Sequence, residues 1–179
     1  MSAPRTSATD PLRVDFVAAD VLRLQGRLGM TFAPGKHGGP WRRDLDADVA
    51  RLRDHYRTDL LLCLVEDPEL ETYRIPDLEE RATAHGIRVL RFPIRDRSVP
   101  SRAGDLAPVV ARVVTVARDG GTAVVHCAGG LGRTGLVVAC CLVDLGHTAQ
   151  AAIAAVRQAR PGTVETSEQE AFVRRLAGP

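Results

Sequence analysis

The run VVHCAGGLGRTGLVVACC, Val124 to Cys141, constrains this chain more than any other stretch. A short apolar segment ends at a cysteine, three glycines follow, and a second apolar segment begins just after an arginine. The first segment has the length of a buried strand and the second that of a helix. AGGLG is then the turn between them, at the carboxyl end of a strand, where open α/β sheets bind their ligands.

Glycines let such a turn curl until its backbone N–H groups converge on one point, a nest for an anion. The helix beginning near Arg133 adds its positive end. A sulfur at the base of this cradle is favoured as a thiolate, the nucleophilic form. Arg133 lies six positions after Cys127 and can hold two oxygens of a phosphoryl group in a fork that lysine cannot make. These groups suit in-line attack on phosphorus through a phosphocysteine that water later hydrolyses. The amides of Ala128, Gly129, Gly130, Leu131 and Gly132, with Arg133, supply the charge stabilisation, so neither a metal nor a cofactor is called for.

The leaving oxygen needs a proton. PIRDRSVP offers Asp96, thirty-one positions before Cys127, on a loop that directly follows an expected strand. A carboxyl there can serve as general acid and then as base toward water, or it can simply open a turn. Asp105 is the alternative acid, although it also suits the first turn of a helix. Thr134 is placed to donate a hydrogen bond to the departing sulfur.

Elsewhere short apolar runs alternate with helical patterns, which indicates an α/β architecture: a central, mostly parallel sheet of four to five strands flanked by helices. MSAPRTSATDP reads as a disordered tail over residues 1–11, followed by a single domain over 12–179. Strands are expected at Val14 to Val17, Val21 to Leu24, Leu60 to Val65, Ile87 to Phe92 and Thr122 to His126. The stretch from Gly26 to Pro40, GRLGMTFAPGKHGGP, carries enough Gly and Pro to read as an extended surface loop. Lys36, His37 and Trp41 go with that solvated loop. Helices are expected after the cap Asp44, from Pro76 to Gly86, around Leu106 to Ala117, from Gly135 to Leu145, after Thr148, and from Glu168 to Leu176.

With 24 basic and 22 acidic residues, the net charge of +2 gives no field that marks a nucleic-acid or membrane partner. No apolar stretch approaches the roughly 18 residues of a membrane span. Four cysteines without CxxC spacing argue against a disulfide framework or a zinc site. Free thiols and a cytoplasmic location are therefore expected, as is a monomer.

HCAGGLGRTG with an upstream PIRDRSVP resembles the active site of cysteine-dependent protein phosphatases of the compact dual-specificity group. LGMTFAPGK, YRIPDL, RFPIRD and HCAGGLGRTGLVVACCL resemble, in the same order, segments of the kinase-associated phosphatase group, over about Leu28 to Leu176. The resemblance implies Cys127 as nucleophile, Arg133 as phosphate fork, Asp96 as acid and 128–133 as the amide cradle. It further implies that His126 supports the loop and helps hold the thiol ionised. Gln169, in ETSEQEAF, would position the hydrolytic water, unless Thr166 with Gln169 or Ser167 with Glu170 is only a capping box. Cys63 would be a second cysteine able to trap the nucleophile as a reversible disulfide.

No aromatic-bearing loop for phosphotyrosine is evident in a chain that is 4% aromatic. The substrate indicated is a phosphorylated protein or peptide carrying phosphotyrosine, phosphothreonine or phosphoserine, and no partner kinase is specified. Arsenate reductases and sulfurtransferases also use cysteine loops, and a non-catalytic phosphopeptide-binding module could retain the cradle. Cys140 and Cys141 read as small core residues.

Overall fold

The computed structural model describes residues 3–178. Its elements run β1 (Asp15–Phe16), α1 (Ala19–Leu22), β2 (Arg27–Phe32), β3 (His37–Gly38), β4 (Trp41–Arg42), α2 (Leu45–Asp54), β5 (Leu60–Cys63), α3 (Asp67–Thr72), α4 (Leu78–Ala84), β6 (Arg88–Arg91), α5 (Ala103–Arg118), β7 (Thr122–Cys127), α6 (Gly132–Asp144), α7 (Ala149–Ala159) and α8 (Ser167–Ala177).

Five strands form one sheet in the order β1-β2-β7-β5-β6, and β3 pairs with β4 in a separate hairpin. Only β1 runs antiparallel to its neighbour; β2, β7, β5 and β6 are parallel. This is the mostly parallel, helix-flanked sheet expected from the sequence. β7 is central, and every residue from Thr122 to Cys127 is buried, as is all of β5. Strands covered on both faces need continuous apolar runs, which LLLC and TAVVHC provide. α6 is buried from Gly132 to Leu142 without interruption.

Three expectations are corrected. The expected loop from Gly26 to Pro40 begins instead with a central strand, β2, whose register places Phe32 beside Cys127. Gly29 is there for close approach: a Cβ on it would overlap Val14 and Phe16, which cross this face of the sheet. Val21 to Leu24, expected as a strand, lies instead in the turn of helix α1, which ends at left-handed Arg23 and buries only Leu22.

The expected tail differs as well. Met1 and Ser2 lie outside the described residues, but 3–11 packs across the β3–β4 hairpin. Arg5 N–H donates to Pro40 O at 2.8 Å, Arg42 N–H donates to Arg5 O at 3.1 Å, and the Arg5 guanidinium stacks 4.2 Å from the Trp41 ring. Paired backbone and a planar cation on an aromatic face hold a segment whose composition suggests disorder.

The hairpin and the segment before it are fixed from beneath by a buried pair. Arg43 Nε and Nη2 donate to Asp48 at 2.7 and 2.9 Å, and Asp48 Oδ2 also accepts from Gly35 N–H at 2.8 Å. Asp44 caps α2 as expected, accepting from Ala47 N–H at 2.8 Å.

Candidate active site

β7 ends at Cys127, 3% exposed, and the chain turns through Ala128 to Leu131 before α6 begins at Gly132. The turn depends on Gly130, whose φ of +71° is a left-handed value. A Cβ on Gly130 would also overlap the Thr31 carbonyl of β2.

The carbonyls of this turn are held from outside. Lys36 Nζ donates to Ala128 O at 2.9 Å, Arg160 Nη2 to Gly129 O at 3.0 Å, and Arg160 Nε to Gly130 O at 2.7 Å. Ala33 N–H also reaches Ala128 O at 3.4 Å. In a planar trans peptide the N–H points opposite to the C=O. Anchoring three successive carbonyls outward therefore aims the N–H groups of Gly129, Gly130 and Leu131 inward, toward the end of β7.

Arg133 is the second residue of α6, and its side chain is 1% exposed. Nη1 and Nη2 donate side by side to the two Glu69 carboxylate oxygens at 2.6 and 2.8 Å, and Nη1 also donates to Ile94 O at 2.9 Å. Nε is buried with no protein partner. One edge of the guanidinium is fixed by Glu69, and Nε is left as a free donor for a second anion.

Glu69 was not anticipated from the sequence. It belongs to α3, in a stretch for which the sequence pattern indicated no element, and reciprocates the Glu66 cap of that helix by accepting from Glu66 N–H at 2.9 Å. The Glu66-x-x-Glu69 spacing before a turn of helix is the legible sign of it. Burial alone would raise the Glu69 carboxyl, but hydrogen bonds from Arg133 outweigh this and hold it below its ordinary value.

Asp96 lies on the loop after β6, 65% exposed, with Oδ1 3.1 Å from Arg133 Nη2. The loop thus brings the Asp96 carboxylate to the Arg133 guanidinium. Asp105, the alternative, is exposed in the first turn of α5. Gln169 is fully buried and does form the capping box with Thr166: its Oε1 accepts from Thr166 N–H at 3.3 Å and from Glu165 N–H at 2.9 Å. Its Nε2 donates to Ser98 O at 3.2 Å, so the same side chain ties the start of α8 to the Asp96 loop.

His126 is fully buried, and its Nδ1 lies 3.4 Å from Cys127 O. Burial pulls the imidazole down to about 4, so the ring is neutral at pH 7 and brings no positive charge to the cysteine. Thr134 is also buried, and its Oγ1 has no hydrogen-bond partner, the Cys127 sulfur included. Cys63 ends β5 beside His126 in register and is a free, buried thiol that burial pushes up to about 11. Cys140 and Cys141 are buried in α6.

Lys36, expected on a solvated loop, is only 8% exposed. It lines a cavity of about 400 Å3 together with Arg5, Arg160, Trp41, Gly129 and Leu131. A larger cavity, about 1100 Å3, opens near Asp59, Arg88 and Gly121 at the opposite ends of the strands, away from Cys127.

The sheet order and helix-flanked architecture are those of the protein tyrosine and dual-specificity phosphatases. Solved structures of that class share the fold. A kinase-associated phosphatase with its catalytic-site cysteine replaced by serine superposes with a TM-score of 0.86, at 24% identity over 94% of this chain and 97% of its own. Tk-PTP in its active form gives 0.73, at 28% identity over 92% and 95%. The chain belongs to the cyclin-dependent kinase inhibitor 3 family (CDKN3), whose sequence profile matches residues 3–155. Cyclin-dependent kinase inhibitor 3 of Rattus norvegicus is 27% identical across 93% of this chain and 79% of its own length, and that of Homo sapiens 28% across 89% and 76%.

Proposed function

We propose that this phosphatase hydrolyses phosphomonoesters on a protein substrate through a phosphocysteine at Cys127. The observation that carries the reading is the Arg133 guanidinium, fixed by Glu69 on one edge, with buried Nε unpartnered, at the head of the helix that follows Cys127. The Cys127 thiolate attacks phosphorus, and Asp96 gives its proton to the leaving oxygen. Water, deprotonated by Asp96, then displaces the sulfur and releases inorganic phosphate. The amides from Ala128 to Gly132 and the Arg133 fork hold the equatorial oxygens while charge spreads over them. Gln169 steadies the acid loop through Ser98 O.

Phosphotyrosine is the first substrate, with phosphothreonine and phosphoserine beside it. The relatives' name makes a protein kinase the first phosphoprotein to test. The rival is a phosphopeptide-binding module that keeps the cradle without turnover.

The test uses a generic aryl phosphate and rapid mixing. Wild type is expected to give a burst of product, and Cys127→Ser none; Asp96→Ala is expected to lose most with poor leaving groups. Unchanged turnover in Cys127→Ser would refute the nucleophile. Phosphopeptide binding without a wild-type burst would establish the binding module instead.

A further inference from the structure

Lys36 is the single lysine among 24 basic residues. Every other cation of the chain is a guanidinium, yet an ammonium stands behind the phosphate loop. Its Nζ sits 2.9 Å from Ala128 O, 4.3 Å from the centre of the Trp41 ring and 5.3 Å from that of Phe32. Phe32 in turn is the register partner of Cys127. Among the described residues no carboxylate lies within ion-pair distance of Nζ. The chain takes trouble to place it: Gly35, the preceding residue, is tied to the buried Arg43–Asp48 pair.

We propose that Lys36 is a positioning residue for phosphate, holding the Ala128 carbonyl outward and polarising that peptide unit so that the Gly129 N–H faces and binds the phosphoryl oxygens. This role of Lys36 rests on the proposed phosphatase activity for its purpose. A cation at the oxygen end of a peptide dipole strengthens the nitrogen end as a donor, as charge at a helix terminus does. Arg160 acts likewise on the next two carbonyls, but part of its charge is answered by Asp15, 2.6 Å from Nη1. Lys36 has no carboxylate to answer it, only the neighbouring Cys127 sulfur, and an incoming dianion adds the missing charge. A buried cation lacking an acid partner is unfavourable until an anion arrives.

The groups facing Lys36 lower it on balance. Burial lowers the ammonium to about 8; Cys127 pulls the other way, and Arg43, Arg5 and Arg160 add to the lowering. Asp10, Asp15 and Arg13 line the same cavity. Lys36 is therefore charged at pH 7 and discharges as pH rises through about 8, whereas an arginine in its place would stay charged.

Binding of inorganic phosphate to the Cys127→Ser protein, measured by calorimetry, isolates this effect from turnover and from the thiolate. Adding Lys36→Met is expected to weaken phosphate binding by on the order of tenfold, the scale of one partly buried cation acting through a backbone dipole. Lys36→Arg is expected to restore it. In the protein retaining Lys36, affinity is expected to fall as pH passes about 8, and in Lys36→Arg to stay level. Equal phosphate binding with Lys36→Met overturns the proposal, as does an alkaline fall unchanged in Lys36→Arg, which can be read even if the methionine variant does not fold. Phosphate binding that depends on Lys36 in a protein whose wild type never hydrolyses aryl phosphate would sink the phosphatase turnover and leave this inference standing.

Discussion

Replacing Glu69 by alanine tests the site at the point where stability and activity meet. Its two oxygens take parallel hydrogen bonds from Arg133 at 2.6 and 2.8 Å, with the side chains 17% and 1% exposed. Removing one member of a buried pair strands the other charge and typically costs about 3–5 kcal/mol. Ile94 O still accepts from Nη1, and Asp96 remains 3.1 Å from Nη2 as a residual counter-charge. The lower end of that range, about 3 kcal/mol, is therefore expected. For a domain of this size each kcal/mol moves Tm by about 2–4 °C, giving a fall of about 6–12 °C. A guanidinium no longer held in plane should also cost about two orders of magnitude in kcat/KM, the penalty of a misplaced substrate clamp.

Urea denaturation at pH 7 with aryl phosphate turnover measures both effects. The pH dependence adds a further check. Glu69 has its carboxyl held below the ordinary value, so the pair's contribution is complete above about 4.5, the ordinary value, and is lost as pH falls through the depressed one. The stability gap between wild type and Glu69→Ala should close in acid. A variant within about 1 kcal/mol of wild type at pH 7, or a gap that persists at low pH, would refute the account; the threshold is about a third of the cost expected.

Gly130→Ala combines left-handed strain with overlap on the Thr31 carbonyl, so it should destabilise by about 1–3 kcal/mol and weaken inorganic phosphate binding; denaturation and calorimetry read the two. His126, lowered to about 4 by burial, should make wild-type stability decline as pH drops from about 6.5 to about 4, because the unfolded ring takes a proton that the folded one refuses. That decline, followed by denaturant midpoints, should shrink in His126→Asn.

The strand, loop and helix around Cys127 were legible because they are local: periodicity, three glycines and an arginine fall within eighteen consecutive residues. The same holds for the caps at Asp44, Thr148 and Thr166, which bond only three positions ahead. β2 was not legible, since Gly29 and the glycines and proline flanking the strand mimic a loop until Val14 and Phe16 are seen to lie against Gly29. Glu69, Lys36 and Arg160 escaped for a different reason. Their partners are 64, 92 and about 30 positions away, distances at which pattern carries no information about contact. Asp96 could be placed on its loop from the flanking prolines, whereas its approach to Arg133 came only with the fold.

The order β1-β2-β7-β5-β6 also bears on how the chain acquires its reactivity. β7 is the last strand to be synthesised, yet it fills the gap between β2 and β5, closing pairings that span about 60 to 95 positions. Non-local pairings of this kind are made slowly and only once the intervening chain exists. A nascent chain therefore carries two open strand edges, and Cys127 has no assembled surroundings, until β7 docks. Completion of the sheet and assembly of the Cys127 turn become one event, so a truncated or half-folded copy exposes strand edges open to aggregation before it has the proposed site.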